Sequence, residues 1–304
     1  MPMSSWQMHA VATYMRLMRR PRTYATASTA AAWMARPKQM PDPPERLNRR
    51  HRVSRSVIDD FAVYTVTAER SPTTRTGSTI YVHGGGYVNE IHRQHWKLVA
   101  DIADATGQAV QVPIYGLAPQ HHADQAITFL QAVLIRASAD GPIYLAGDSS
   151  GAGLALAATQ TWIAAGGTPP AGLTLISPWL DIALTNPGIA AIEPREPWLA
   201  VPGLRECGKA WAANVPLDDP RVSPICGQLT SLPPIDLYIG DRDIFLPDSR
   251  RLRDTLPPEG LNYHEQPGGI HVYPLLPTPE ARATRPTLLA HITEALDGPN
   301  DDHH

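Results

Sequence analysis

The chain has 304 residues, enough for one large α/β unit or two domains of roughly 150 residues each, and long enough to bury a core without disulfide or metal staples. Hydrophobic residues make up 43% and charged residues 18%; the charged share sits below the usual value of about 25%, which excludes a wholly disordered or coiled-coil protein. A formal net charge of -3 provides no field to gather nucleic acid, so no nucleic-acid partner is expected.

Cys207 and Cys226 are the only cysteines, too few for a small disulfide-stapled scaffold. No apolar run reaches the roughly 18–20 residues that span a bilayer, so no integral membrane segment is expected. The N-terminal region carries Arg16, Arg19, Arg20 and Arg22 but no apolar block of about 7–15 residues before a cleavage site, and so does not read as a secretory signal. A soluble cytoplasmic protein is the expectation.

Met8, Val11, Met15 and Met18 recur at steps of three and four, which predicts an amphipathic helix packed on the main body with its arginines off that stripe. Residues 35–55, with Pro37, Pro41, Pro43, Pro44, Arg49 and Arg50, read as a linker. Residues 1–50 thus form a helical segment and linker, 51–298 the core, and 299–304 a polar tail. Within the core, β-type runs fall at Phe61–Thr67, Thr79–Val82, Ala109–Ile114, Ile143–Ala146, Leu173–Ile176, Ile235–Ile239 and Leu261–Glu265. Helical patterns occupy 92–105, 123–138, 151–165 and 279–296. Strands alternating with helices predict an α/β fold with a mainly parallel sheet and helices on both faces. Ligands then collect at the carboxyl ends of the strands. The stretch 181–215, broken by Pro187, Pro194, Pro197 and Pro202, reads as an inserted lid.

The strand at Ile143 runs into Gly147-Asp148-Ser149-Ser150-Gly151 and then a helical pattern. A serine nucleophile on a tight strand-to-helix turn needs very small residues two positions before and after it, because neighbouring backbone crosses there. Gly147 and Gly151 meet that need for Ser149, whereas Ser150 would have Asp148 and Ala152. The Ser150 N–H suits an oxyanion instead. The strand Thr79–Val82 ends in His83-Gly84-Gly85-Gly86, a loop of the kind that supplies further oxyanion donors. Gly85 and Gly86 are expected donors, with Gly84 a third candidate. No G-x-G-x-x-G or G-K-[ST] follows, which argues against a nucleotide cradle.

A serine hydroxyl needs a base and the base an acid, in the order serine, acid, histidine for this arrangement. After Ser149 the histidines are His264, His271, His291, His303 and His304. His271 alone lies in a Gly-rich loop between a strand and a helix, at the edge where the serine emerges. The strand Ile235–Ile239 leads into a loop carrying Asp241, Asp243 and Asp248. Asp248 suits a helix cap and Asp241 a turn, but spacing alone does not choose among the three. The pairs His92/His95 and His121/His122 lack the accompanying ligands of a zinc site, so no metal is expected.

On His83-Gly84-Gly85-Gly86 and Gly147-Asp148-Ser149-Ser150-Gly151 the chain resembles the hormone-sensitive lipase family of α/β-hydrolases, the bacterial branch of esterases and lipases. Supporting matches are Tyr115-Gly116-Leu117-Ala118-Pro119, Ser177-Pro178-Trp179-Leu180-Asp181, Asp219-Pro220-Arg221-Val222-Ser223-Pro224 and Gly240-Asp241-Arg242-Asp243. The resemblance implies an α/β-hydrolase fold, Asp243 as the acid, and a helical cap built from the N-terminal segment and the 181–215 insertion; it is also compatible with a homodimer. Two departures stand out. Gly116 and Gln120 replace a frequent Arg and Glu, and Ser150 replaces a usual Ala.

The resulting expectation is a carboxylic-ester hydrolase acting on short- to medium-chain acyl esters through Ser149, His271 and Asp243, with no cofactor. An amidase or arylformamidase could use the same residues. A ligand receptor on the same scaffold, as in the gibberellin receptors, is disfavoured because all three triad positions are filled. The acidic limb of kcat/KM is expected near the ordinary histidine value of roughly 6.5.

Overall fold

The computed structural model describes residues 4–39, 42–69 and 76–298; the expected tail at 299–304, with His303 and His304, lies outside them. In chain order the helices are α1 (Trp6–Tyr14), α2 (Arg20–Thr23), α3 (Ala27–Met34), α4 (Glu45–Asn48), α5 (Arg93–Thr106), α6 (Ala123–Ser138), α7 (Ser150–Ala164), α8 (Ile189–Ile192), α9 (Val201–Ala212), α10 (Leu246–Thr255) and α11 (Pro279–Asp297). The strands are β1 (His51–Ile58), β2 (Phe61–Ala68), β3 (Ser78–Val82), β4 (Ala109–Pro113), β5 (Ile143–Asp148), β6 (Gly172–Ile176), β7 (Ile235–Gly240) and β8 (Leu261–Gln266).

All eight strands form one sheet in the order β1-β2-β4-β3-β5-β6-β7-β8. The β1–β2 and β2–β4 pairs are antiparallel and the rest parallel. Central strands β3, β5, β6 and β7 are buried along their whole length, as expected where helices cover both faces. Each fully buried Leu or Ile there contributes roughly 2 kcal/mol. Helix α5 buries Trp96, Val99, Ile102, Ala103 and Thr106 on one stripe, and the left-handed Gly107 ends it. Helix α7 is buried through most of its length, so its Ala- and Gly-rich composition reflects close packing against the sheet.

Two expectations need correction. The 35–55 linker contains α4, and its last residues begin β1, whose register pairs His51 with Ala68 and Ile58 with Phe61. Strand β1 is an edge strand that leaves Arg52, Ser54 and Arg55 outside the core, so its charges mimic a loop. The second correction concerns the N-terminal stripe. Met8 is buried, but Met18 is 42% exposed, because the five-residue π turn at Met15–Arg19 shifts the helical phase.

The chain between β6 and β7 runs over 177–234, beyond the expected 181–215, and contains α8 and α9. Its two ends are tied through Ser223, whose Oγ accepts from the Ile182 N–H at 2.9 Å and donates to the Leu217 carbonyl at 2.6 Å. Helix α3 packs on α9, and Gly203 lies so close to the Tyr24 backbone that no side chain fits between them. The Arg–Glu pair often seen at the 116–120 turn has no counterpart at Gly116 and Gln120; the His121 ring covers Gly116 and stands edge-on to Phe61, 5.2 Å between centroids.

Candidate active site

The parallel strands β3, β5, β7 and β8 release their carboxyl ends at one edge of the sheet, and the four loops that follow carry the residues singled out by the sequence. Ser149 sits between β5 and α7 at φ 54°, ψ -123°, a backbone conformation that costs roughly 1–3 kcal/mol and persists only where surroundings enforce it. They do so here. The Ser149 N–H donates to the Ile176 carbonyl at 2.8 Å, and its carbonyl accepts from the Trp179 N–H at 3.1 Å. A Cβ on Gly147 would lie 2.8 Å from the Gly151 backbone, and one on Gly151 would run into the Val82 and His83 carbonyls. The turn therefore closes only with glycine at both positions.

His271 reaches Ser149 from the loop after β8. Its Nε2 lies 2.9 Å from Ser149 Oγ and its Nδ1 2.9 Å from Asp243 Oδ2. All three side chains are buried. Burial pulls the His271 pKa down, but the Asp243 charge and hydrogen bond, aided by Glu196, outweigh it and leave the imidazole above its ordinary value. Phe245 and Trp198 stand edge-on to the ring at 5.3 and 5.6 Å, which fixes its plane and keeps water from its flanks.

The other acids of the β7 loop have different work. Asp241 accepts from the Gly268 N–H at 2.8 Å, which ties its loop to the histidine loop. Asp248 does not cap a helix start; it lies inside α10, which begins at Leu246. There it accepts from Asn186 at 2.8 Å, and burial pushes its pKa up to about 6.

In the glycine loop, hydrogen bonds decide which N–H groups stay available. The Gly84 N–H donates to Asp148 Oδ1 at 3.0 Å, so Gly84, the third candidate oxyanion donor, is already engaged. His83 Nδ1 donates to the Gly84 carbonyl at 2.8 Å. Across the planar trans peptide the Gly85 N–H then points the opposite way. The Gly85 carbonyl accepts from Asn89 Nδ2 at 2.7 Å and from the Val88 and Asn89 N–H groups, which orients the Gly86 N–H in the same manner. Neither the Gly85 nor the Gly86 N–H has a partner among the described residues. The Ser150 N–H, in the first turn of α7, has no intrahelical partner either.

Asp148 holds this arrangement together. It is buried and accepts from Tyr81 OH at 2.7 Å, the Gly84 N–H, and His95 Nε2 at 3.2 Å. His95 Nδ1 accepts from the His92 N–H at 2.9 Å, so Nε2 carries the proton given to Asp148. Burial opposes the Asp148 charge, but the His95 interaction and the Tyr81 and Gly84 donors overcome it and hold the pKa at about 2. Burial drives His83 down to about 4, leaving it neutral and stacked on Tyr115 at 4.6 Å.

Two residues here carry no signal in the sequence. His95 lacks the neighbours of a zinc site, and its link to Asp148 is purely tertiary. Glu196 lies in the insertion, fully buried. Its Oε1 accepts from the Trp198 and Leu199 N–H groups and its Oε2 from the Ile244 N–H at 3.1 Å, next to Asp243. Burial, with the Asp243 charge beside it, pushes Glu196 up to about 7. The Arg20 guanidinium donates to its main-chain carbonyl at 2.5 Å, so both N-terminal segment and insertion touch the surroundings of the acid.

Known proteins share this fold. The alpha/beta hydrolase fold family matches residues 79–275. An acetyl-hydrolase of Streptomyces hygroscopicus is 32% identical over 68% of this chain and 73% of its own. An esterase of Acinetobacter venetianus is 30% identical over 64% of this chain and 66% of its own. Across the curated relatives the chain spans from about half to three quarters of their length. The crystal structure of an esterase from the bacterial hormone-sensitive lipase family covers 97% of this chain and all of its own at a TM-score of 0.77 and 21% identity, which is a likeness of fold. Among the described residues no helix is long and apolar enough to cross a membrane. The chain belongs to the alpha/beta hydrolase fold family.

Proposed function

We propose that this hydrolase is a carboxylesterase that cleaves short- to medium-chain acyl esters by acyl transfer. Ser149 Oγ attacks the ester carbonyl while His271 Nε2 takes its proton, and Asp243 keeps the imidazole in the tautomer whose Nε2 is free. The Gly85, Gly86 and Ser150 N–H groups receive the oxygen of the tetrahedral intermediate, a contribution worth roughly 3 kcal/mol per donor. His271 then protonates the leaving alkoxide, and water, activated by the same ring, releases the acid and restores Ser149. His83 and Asp148 set the glycine loop. The N-terminal segment and the 181–215 insertion form the cap over the pocket. The single observation carrying this reading is the pair of 2.9 Å contacts linking Ser149, His271 and Asp243.

The test is a series of p-nitrophenyl esters from acetate to palmitate beside a matched p-nitroanilide. We expect kcat/KM to peak between acetate and octanoate and the anilide to be slower by at least 100-fold. An anilide as fast as its ester would replace the esterase reading with an amidase.

The raised His271 pKa also sets a pH dependence. Protonated His271 cannot accept the serine proton, so kcat/KM falls as pH drops through its pKa, and the limb lies above the 6.5 expected from sequence. The Glu196 charge helps raise that pKa, so Glu196→Gln is expected to move the limb to lower pH. Because the His271 charge in turn pulls the Glu196 pKa down, the wild-type limb belongs to the pair. An unmoved limb in Glu196→Gln would confine Glu196 to a packing role.

A further inference from the structure

A second constellation lies at the opposite end of β7 from the serine. Asp236 is the second residue of β7, His264 the fourth of β8, and His291 projects from α11. Asp236 pairs with Asn262 and Tyr238 with His264, so the two-residue period of the strands puts all four side chains on one face of the sheet, the face that α11 covers. One ligand atom from each of Asp236, His264 and His291 lies within 4.8 Å of the others. Asp243 stands beyond four more strand residues, about 13 Å of strand rise.

The three groups are held but not satisfied. Asn262 Nδ2 donates to Asp236 Oδ1 at 2.9 Å and Tyr144 OH to Oδ2 at 3.1 Å, which fixes the carboxylate as outer partners do around metal ligands. The His264 ring stacks flat on Tyr238, 4.5 Å between centroids and 5° between planes. Its Nε2 is buried and has no hydrogen-bond partner among the described residues. His291 Nδ1 comes within 2.7 Å of Asp236 Oδ1 without the alignment of a hydrogen bond. A buried ring nitrogen with no partner costs about 1–3 kcal/mol, and His264 Nε2 is such a nitrogen, set beside the His291–Asp236 pair. An electron-pair acceptor there satisfies His264 and takes lone pairs of Asp236 and His291 as well, and two imidazoles with one carboxylate suit zinc or a similar first-row ion rather than calcium or magnesium. At metal–ligand distances of about 2.0–2.2 Å the set closes on a cation with ring rotations of about an ångström.

We propose that Asp236, His264 and His291 bind one divalent first-row transition-metal ion, which clamps α11 to the edge of the sheet. The ion takes no part in ester cleavage and is independent of the reading of Ser149. Three protein ligands leave its remaining positions to water, consistent with the half-buried state of both histidines.

The test uses the full chain, stripped with chelator and titrated with Co2+ for its visible d–d absorption and with Zn2+ for thermal melting. The expected result is a saturable one-equivalent Co2+ spectrum and a Tm rise of roughly 5 °C at a hundredfold excess of Zn2+ over its dissociation constant. In His264→Gln and in His291→Gln the affinity should fall by about 100-fold or more, while p-nitrophenyl butyrate hydrolysis by the metal-free proteins stays at the wild-type rate. Two substitutions on separate elements keep the test decisive if one impairs folding. A wild-type chain with no saturable binding below millimolar metal, or an equal Zn2+ response in the variants, overturns the proposal and leaves Asp236 and His291 as a plain ion pair.

Discussion

Ser149→Ala is expected to lower kcat on p-nitrophenyl butyrate by about 10⁴- to 10⁶-fold, the range for deleting a nucleophile whose base and oxyanion donors remain. The substitution removes one oxygen and leaves the fold alone. Ser149 holds its unusual φ of 54° through main-chain contacts with Ile176 and Trp179, and alanine can keep both. Among the described residues its side chain hydrogen-bonds to His271 alone, so melting temperature should change by no more than a few degrees. Far-UV circular dichroism and thermal melting establish the fold, and a p-nitrophenolate assay with active-site titration reads the chemistry. If the folded variant keeps more than a tenth of the wild-type rate, acyl transfer through Ser149 is wrong.

The second large effect is expected from Asp243→Asn, about 10⁴-fold in kcat with little change in KM. Asp243 Oδ2 accepts from His271 Nδ1, so the carboxylate dictates that the ring proton sits on Nδ1 and the lone pair on Nε2. An asparagine that offers its amide N–H there forces the opposite tautomer, and Nε2 then points a hydrogen at the serine oxygen. Asp243 Oδ1 accepts from the Phe245 N–H at 3.0 Å, a bond the remaining amide oxygen can retain. Binding of the ester, governed by the pocket walls, should therefore survive. A fall in kcat of under tenfold would move the acid's role to a neighbour, and Glu196, bonded to the adjacent Ile244 N–H, is the group to substitute next.

What the amino-acid sequence disclosed follows the physics of each feature. The buried strands β3, β5, β6 and β7 were legible within a residue or two because their apolar runs end in glycine or polar turns. The glycine pattern around Ser149 was legible because the need for glycine falls at fixed offsets from the serine, even where the backbone that crosses there, that of Val82 and His83, is distant in the chain. Strand β1 was hidden, since an edge strand with Arg52 and Arg55 outside the core carries no apolar run. The π turn at Met15–Arg19 leaves no compositional mark, and without it Met18 belongs to the stripe. Asp243 could not be separated from Asp241 and Asp248 by spacing, because what distinguishes them is which partner each meets across the loops. The same holds for Gly84, whose N–H is spent on an acid 64 positions later, and for Glu196 and His95, which acquire their roles only when distant segments meet.

The position of Asp148 has one more consequence. The residue next to the attacking serine is also the anchor of the loop that faces the developing negative charge, so the two halves of the reaction floor cannot be adjusted separately. A shift of the β5 terminus by even a few tenths of an ångström carries both with it. In the proposed reaction, divergence toward new esters is thereby pushed away from this floor, into the excursion between β6 and β7, at positions other than Trp198 and Glu196, which touch His271 and the loop of Asp243.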